Sequence, residues 1–159
     1  MNTYTAFLRI RHPSIDPGEI TRVLGLQPAH AWAAGSPRGE SAARGAHAES
    51  YWFAPLGEAI WPREGEAAVA GPQAGESWSF PSATLPLEAF LLSRIRMLAA
   101  HRGFLARLST EGGSCELAVT LSARERLSVE LPPGLLRALA ELDIAITLDV
   151  SAGEEPVSH

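Results

Sequence analysis

His12 and Asp16 are the first side chains in the sequence whose types and spacing could do chemistry. They lie four residues apart in RHPSIDPGEITRVLGL, residues 11–26, and a histidine with a carboxylate can act as a general base or bind a metal ion. A spacing of four brings two side chains together only within one helix. Pro13 favours an extended conformation at His12, so the sequence predicts that the pair does not form a site.

The same stretch has the features of a helix N-terminus. Asp16 suits the N-cap position, Pro17 the first helical position, and Glu19 the position from which a carboxylate can reach back to the cap amide. Gly25 suits the left-handed conformation that ends a helix. We therefore predict that Asp16 binds backbone amides and that His12 is left without a partner.

The other reactive residue types predict no catalytic residue, metal site or cofactor. Cys115 is the only cysteine, which excludes an internal disulfide, and its place on the apolar face of a predicted strand indicates a buried thiol rather than a nucleophile. His30 and His47 are 17 residues apart without a matched third ligand, so we predict loop histidines. The segment GSPRGESAARG, residues 35–45, lacks the strand, helix and Gly-Lys ending of a phosphate loop.

Arg94 is a candidate anion-binding residue. Its spacing from Phe90 and Leu98 places it at the flank of the apolar stripe of a helix, and His101 falls seven residues further on the same side. A guanidinium in this position either extends along its stem to water or pairs with a carboxylate or an anionic ligand. Both alternatives remain open from the sequence.

The four tryptophans divide into predicted core and predicted binding residues. Trp52 and Trp78 are expected in the core, where each ring buries a large area. The other two fall in loops, each beside an arginine, and are predicted to be exposed, since tryptophan and arginine dominate binding energy at interfaces. The candidate binding residues are Trp32, Arg38, Trp61, Arg63, Arg94 and His101.

Composition bounds the class of protein. The 159 residues are 46% hydrophobic and 19% charged, which is typical of a globular chain, and we predict one domain over residues 1–151 with a flexible loop at 65–76 and a loose tail at 152–159. The net charge of −5 disfavours nucleic acid as a partner. Neither a signal peptide nor an apolar run of membrane-spanning length is recognisable, so we expect a cytoplasmic protein that does not bind membranes.

The order of predicted elements is strand, helix, an irregular strand pair, long helix, hairpin, helix and strand. The hairpin joins CELAVTL to RLSVEL through SARE. Strands with one apolar face and helices with one apolar stripe predict an α+β fold: a single, mostly antiparallel sheet with about three helices packed on one face. A ferredoxin-like topology is one such arrangement.

The sequence resembles a family of uncharacterised small bacterial proteins. The resemblance lies in the pattern HPxxDPxxIT, LGLxP and WxxG, followed by SW before a long helix and by the terminal LLRALAELDIAITLDV. It covers most of the chain, although residues 55–75 are longer than the family pattern. The resemblance supports the fold and implies no catalytic residue. The matching residues are Asp16, Pro17, Ile20, Thr21, Leu24, Gly25, Pro28, Trp32 and Gly35.

These observations favour a non-enzymatic cytoplasmic binding module. We expect it to engage a protein partner through its middle segment, which is rich in tryptophan and arginine, as an accessory or immunity-type protein would. Two alternatives stay open: a sensor that holds a small anionic ligand at Arg94 or Arg38, and an enzyme whose site no motif marks.

Overall fold

The computed structural model describes residues 2–39, 45–62, 83–124 and 126–152. None of the helices in these ranges has the length and apolar character needed to cross a membrane. Trp78, which is predicted in the core, the predicted loop at 65–76 and the tail from residue 153 onward lie outside the described residues. The elements follow in the order β1 (Thr3–His12), α1 (Pro17–Leu24), β2 (His30–Trp32), β3 (Ser50–Ile60), β4 (Ala83–Thr84), α2 (Leu87–Ala99), α3 (Arg102–Thr110), β5 (Ser114–Ala123), α4 (Pro133–Glu141) and β6 (Ile144–Ala152).

One mixed sheet organises the fold. Its strand order is β2-β3-β1-β5-β6, with the two-residue β4 beside β3. The central strand β1 is antiparallel to both β3 and β5, and β2 is antiparallel to β3, whereas β5 and β6 are parallel. The predicted α+β class with a single sheet is confirmed. The ferredoxin-like topology is not confirmed.

The described residues contain four helices rather than about three. The stretch predicted as one long helix ends at Ala99, and α3 begins at Arg102. Between them the His101 amide donates to the Leu98 carbonyl at 2.9 Å, a bond to the third preceding residue that closes the helix with a tight turn. Gly103, a poor helix former, follows directly in the first turn of α3.

The core lies on one face of the sheet, between the strands and the helices. On β1 every second residue from Tyr4 to Ile10 is buried, and β3 and β5 contribute in the same alternation. Trp52 is fully buried, as predicted, and its indole N–H donates to the Thr21 hydroxyl of α1 at 3.1 Å, so the largest core side chain has its polar atom satisfied. The bond joins α1 to the sheet.

A β-bulge in β3 changes the register of this strand relative to β1. The register between the two strands shifts between Ala6 and Phe7, which leaves Leu56 as the extra residue. Gly57 has a φ of 113°, a conformation that residues with a Cβ rarely adopt. Beyond the bulge the buried Ala59 lies opposite Tyr4, so the apolar residues return to the core face.

The predicted start and end of α1 are confirmed. The Asp16 carboxylate accepts from the Gly18 amide at 3.0 Å, and Gly25, with a φ of 70°, donates its amide to the Thr21 carbonyl at 2.9 Å. Glu19 does not reach back to the cap, because its carboxylate accepts from the Arg107 guanidinium at 2.7 Å. Asp16 is therefore used by the helix and not by a site.

The predicted hairpin is wrong. β5 ends at Ala123, and residues 126–132 form no strand. Leu127, Val129 and Leu131 are instead partly buried against the core. The apolar alternation therefore reflects packing of this segment on the core and not pairing within the sheet. β5 pairs instead with β6. The two strands are parallel, so they need a crossover connection, which contains α4.

Candidate functional site

The face of the sheet opposite the core carries aromatic rings and arginines. We call it the open face, because the buried leucine, isoleucine and phenylalanine side chains of all four helices belong to the core on the other side. The strand register places its residues next to one another across β2, β3, β1 and β5. Its members are Phe7, Arg9, Arg11, His30, Trp32, Tyr51, Phe53 and Glu116, with His47 stacked on Trp32.

The rings of the open face form a ladder of nearly parallel planes. The Trp32 ring lies 4.4 Å from both the His47 and the Tyr51 rings, with interplanar angles of 16°. Tyr51 stacks on Phe53 at 6.3 Å, and Phe53 on Phe7 at 4.8 Å. The register explains the ladder, since Trp32 is the direct partner of Tyr51 across β2 and β3. Trp32 is therefore stacked on two other rings, and Phe53 is stacked on Phe7.

Two arginines lie over these rings, and each is close to a carboxylate. The Arg9 guanidinium lies 5.3 Å from the Phe53 ring centre, donates Nε–H to the Tyr51 hydroxyl at 3.1 Å, and pairs with Glu116 at 2.5 Å. The hydrogen bond to Tyr51 first, and the pairing with Glu116 in addition, raise the pKa of Arg9 above its ordinary value, while burial opposes the shift. Arg11 lies 5.9 Å from the Tyr51 ring, and its Nε is 3.8 Å from a Glu49 oxygen. The open face is thus close to neutral.

Trp32 and Trp61 are not the exposed pair that the sequence predicts, and Trp32 lies on β2 rather than in a loop. Trp32 lies on the open face beside the beginning of β3, half-buried. Trp61 follows the last residue of β3, also half-buried, with its ring edge-on to Tyr4 at 6.0 Å. The strand between them is about 30 Å long at ~3.3 Å per residue. Arg38 is exposed in the loop after β2, and Arg63 lies outside the described residues.

The Arg94 guanidinium is half-buried against the core. Its centre lies 4.4 Å from the Phe90 ring, and its Nε–H donates to the Leu56 carbonyl at 2.6 Å. Burial lowers the pKa of Arg94, and the nearby Tyr4 opposes that shift. These contacts tie α2 to the bulge in β3, which favours a structural role. The idea that His101 shares its helix face is wrong, because α2 ends at Ala99.

His12, expected to lack a partner, is fully engaged. It is 4% exposed, and its Nδ1 accepts from the amides of Ser14 at 3.0 Å and Ile15 at 2.8 Å. Because Nδ1 accepts two N–H groups, the ring proton is placed on Nε2, which lies 3.1 Å from a Glu111 oxygen. His12 therefore shapes the turn between β1 and α1. Its position continues the buried alternation of β1, a signal that the sequence already contains.

Cys115 is buried, as predicted. Burial first, and the nearby Asp143 second, raise the pKa of the thiol to about 12, so it stays protonated and unreactive near neutral pH. Across the described ranges no group of three or more histidine, cysteine or acidic side chains is placed to hold a metal ion. His12 and Cys115, whose residue types suggested chemistry, are both buried within the fold.

The sequence contains a signal for the open face in the alternation of its strands. Tyr51 and Phe53 alternate with the buried Trp52, which places them on the opposite face of β3. Phe7, Arg9 and Arg11 alternate with the core residues of β1 in the same way. Which of these residues become neighbours depends on strand order and register, which one sequence does not specify.

The chain is thus an α+β domain with one face of its sheet covered by helices and the other face carrying stacked aromatic rings. Residues 2–58 match the family model of a domain of unknown function, DUF4279, which confirms the resemblance to an uncharacterised family over that segment. The match spans β1, α1, β2 and most of β3, and so includes the aromatic ladder. The comparisons with curated proteins and with solved structures returned no match.

Proposed function

We propose that this protein is a non-enzymatic, cytoplasmic binding module that engages a protein partner through its open face. The observation that carries the proposal is the ladder Trp32, Tyr51 and Phe53 with Arg9 and Arg11 lying over its rings. Aromatic and arginine side chains are enriched at protein interfaces and supply most of the binding energy at hot spots. An accessory or immunity-type role fits this surface.

The electrostatics favour a protein over a nucleic acid. Glu116 and Glu49 compensate the charges of Arg9 and Arg11, and the whole chain carries a net charge of −5. Phosphate backbones require uncompensated positive charge. Proteins that stack bases use free aromatic rings, whereas here Trp32 is already stacked on His47 and Tyr51, and Phe53 on Phe7.

The surface is also ordered before binding. Each ring of the ladder has a ring neighbour, and Arg9 is held from two sides by Tyr51 and Glu116. Ordering a long side chain on association costs about 0.5–1.5 kcal/mol. A surface whose side chains are already fixed avoids much of that cost, which supports recognition of a specific partner.

The fate of the reactive side chains supports a non-enzymatic role. Both ring nitrogens of His12 are used within the fold, and the Cys115 thiol is buried and protonated. Asp16 caps α1. The residues that most resemble catalytic groups in the sequence therefore serve the structure.

The test is an affinity capture from the lysate of the source organism with matched arginine variants. Arg9 lies 5.3 Å from the Phe53 ring on the open face, and Arg107 lies 5.3 Å from the Phe104 ring on α3. Arg9→Ala removes the contact on the open face, and Arg107→Ala removes its counterpart on the helical side. Captured proteins and nucleic acids are quantified by mass spectrometry and sequencing.

We expect the wild type and Arg107→Ala to recover the same stoichiometric protein, and Arg9→Ala to recover little of it. Recovery of no stoichiometric protein, of nucleic acid instead, or of equal amounts by both variants would overturn the proposal. Circular dichroism of each variant verifies that the fold is retained.

A further inference from the structure

The strand β6 leaves a long edge of the sheet without a strand neighbour in the described part of the chain. All register partners of Ile144–Ala152 lie on β5. The nine residues include no lysine, arginine, proline or glycine, which are the residues that usually protect edges from further pairing. The opposite edge is different, because β2 has only three residues.

The exposed apolar side chains lie on β6 and on the helix that contacts it. Leu136 and Val150 are the large hydrophobic residues that are exposed in the described ranges, at 44% and 61%. Val150 is on β6, and Leu136 is on α4, the helix that contacts β6. Along the core side of β6 the exposure rises from 5% at Ile144 to 61% at Val150. The helices therefore cover the beginning of this strand and not its end.

We propose that a second copy of this chain pairs antiparallel along β6, which continues the sheet across a two-fold axis and covers Val150 and Leu136. The unpaired N–H and C=O groups of an edge strand are complementary to those of another strand. A two-fold contact places the same surface on both sides. Because each copy brings both the edge and the exposed apolar residues, the contact is self-complementary.

Asp149, the one charged residue of β6, restricts the register of this pairing. Pairing centred on Asp149 would set the two carboxylates directly opposite each other, which is unfavourable. Pairing centred on Leu148 sets Asp149 opposite Thr147 of the second copy, and Val150 opposite Ile146. The second register brings apolar residues together on the core side and separates the charges.

The proposed dimer contact is separate from the open face. The aromatic ladder lies on β1, β2 and β3, and β5 stands between β1 and β6 in the sheet. Dimerisation and partner binding can therefore succeed or fail independently of each other. A variant at the β6 edge is expected to leave the affinity capture described above unchanged.

The test is analytical ultracentrifugation of the full chain over a concentration series from ~1 μM to ~500 μM, the range of a small interface. We expect the wild type to shift from the monomer mass of 16.9 kDa to twice that mass. Val150→Arg and Leu136→Arg introduce charge at the contact and are expected to weaken dimerisation at least tenfold. Ala106→Arg, at an exposed position of α3, is the matched control and is expected to dimerise like the wild type.

A covalent test uses Leu148→Cys, since the favoured register brings this residue next to its own copy. Mild oxidation is expected to give a disulfide-linked dimer, whereas the buried Cys115 of the wild type gives none. A wild type that stays at the monomer mass over the whole series overturns the proposal. Dimerisation that is unchanged in both arginine variants overturns it as well.

Discussion

The two faces of the sheet are made by alternate residues of the same strands, yet their chemistry differs. The core side of β1 buries Tyr4, Ala6, Leu8 and Ile10. The other side of the same strand presents Phe7, Arg9 and Arg11, and Tyr51 and Phe53 lie beside them on β3. The apolar side chains of the first face form the hydrophobic core. The second face carries charged and aromatic side chains outside that core.

The two faces also differ in how much their side chains contribute to the free energy of folding. Removing a buried leucine typically costs about 2–5 kcal/mol, whereas a partly exposed ion pair contributes about 1 kcal/mol or less. The ion pairs of the open face therefore add little to the free energy of folding, so substitutions of its arginines are expected to have smaller effects on stability than substitutions in the core.

The largest effect is expected in the core. Leu117 on β5 is fully buried, so Leu117→Ala should lower the free energy of unfolding by about 3 kcal/mol through lost burial and a residual cavity. Thr120→Ala changes an exposed residue of the same strand and should change it by less than about 0.5 kcal/mol. Urea denaturation measures both. Equal effects would contradict the assignment of the two faces.

A smaller loss is expected at His12, where the core meets the turn before α1. His12→Ala leaves the amides of Ser14 and Ile15 without their acceptor, so we expect a loss of about 2–3 kcal/mol. His12→Asn keeps an acceptor close to the position of Nδ1 and should recover about half of that loss. If Asn and Ala are equally destabilising in urea denaturation, the two amide bonds are not the cause.

The Cys115 thiol predicts a pH dependence above pH 9. The unfolded thiol ionises near 9, while burial keeps the folded thiol protonated until a pKa of about 12. The protonated thiol therefore makes its full contribution to the free energy of unfolding below pH 9. This contribution falls by about 1.4 kcal/mol per pH unit between pH 9 and pH 12. Cys115→Ala has no thiol that can ionise, so the difference in the free energy of unfolding between the wild type and the variant should shrink from pH 8 to pH 10. A constant difference would contradict the burial of the thiol.

The smallest effect on stability is expected on the open face. Arg9→Ala removes the pair with Glu116 and the contact with Phe53, and we expect it to lower the free energy of unfolding by about 1 kcal/mol or less. Arg107→Ala, which removes an exposed guanidinium on the helical side, should change the melting temperature little. Thermal denaturation of the two variants is the measurement. A loss above about 3 kcal/mol for Arg9→Ala would show that the open face is a structural element.

The sequence predicted those parts of the fold that depend on local pattern. The Asp16 cap, the Gly25 terminus and the burial of Trp52 are all confirmed, because each rests on the preferences of one or a few neighbouring residues. The hairpin after β5 failed because the apolar alternation of Leu127, Val129 and Leu131 is also satisfied by an extended segment on the core.

The open face was not predicted, for a physical reason. Its residues are far apart in the chain, and only the order β2-β3-β1-β5 makes Trp32, Tyr51 and Arg9 neighbours. Hydrophobic alternation shows which residues share a face of one strand but not which strands lie side by side. The arginines nearest to each tryptophan in the sequence are therefore a poor guide to its contacts across the sheet.

If the open face binds a partner, the affinity of the captured protein must depend on Arg9. This affinity is measured for two arginine variants. Isothermal titration calorimetry should show at least a tenfold weaker affinity for Arg9→Ala, about 1.4 kcal/mol, and an affinity within about twofold of the wild type for Arg107→Ala. Equal affinities of the two variants, or a greater loss for Arg107→Ala, would contradict the claim.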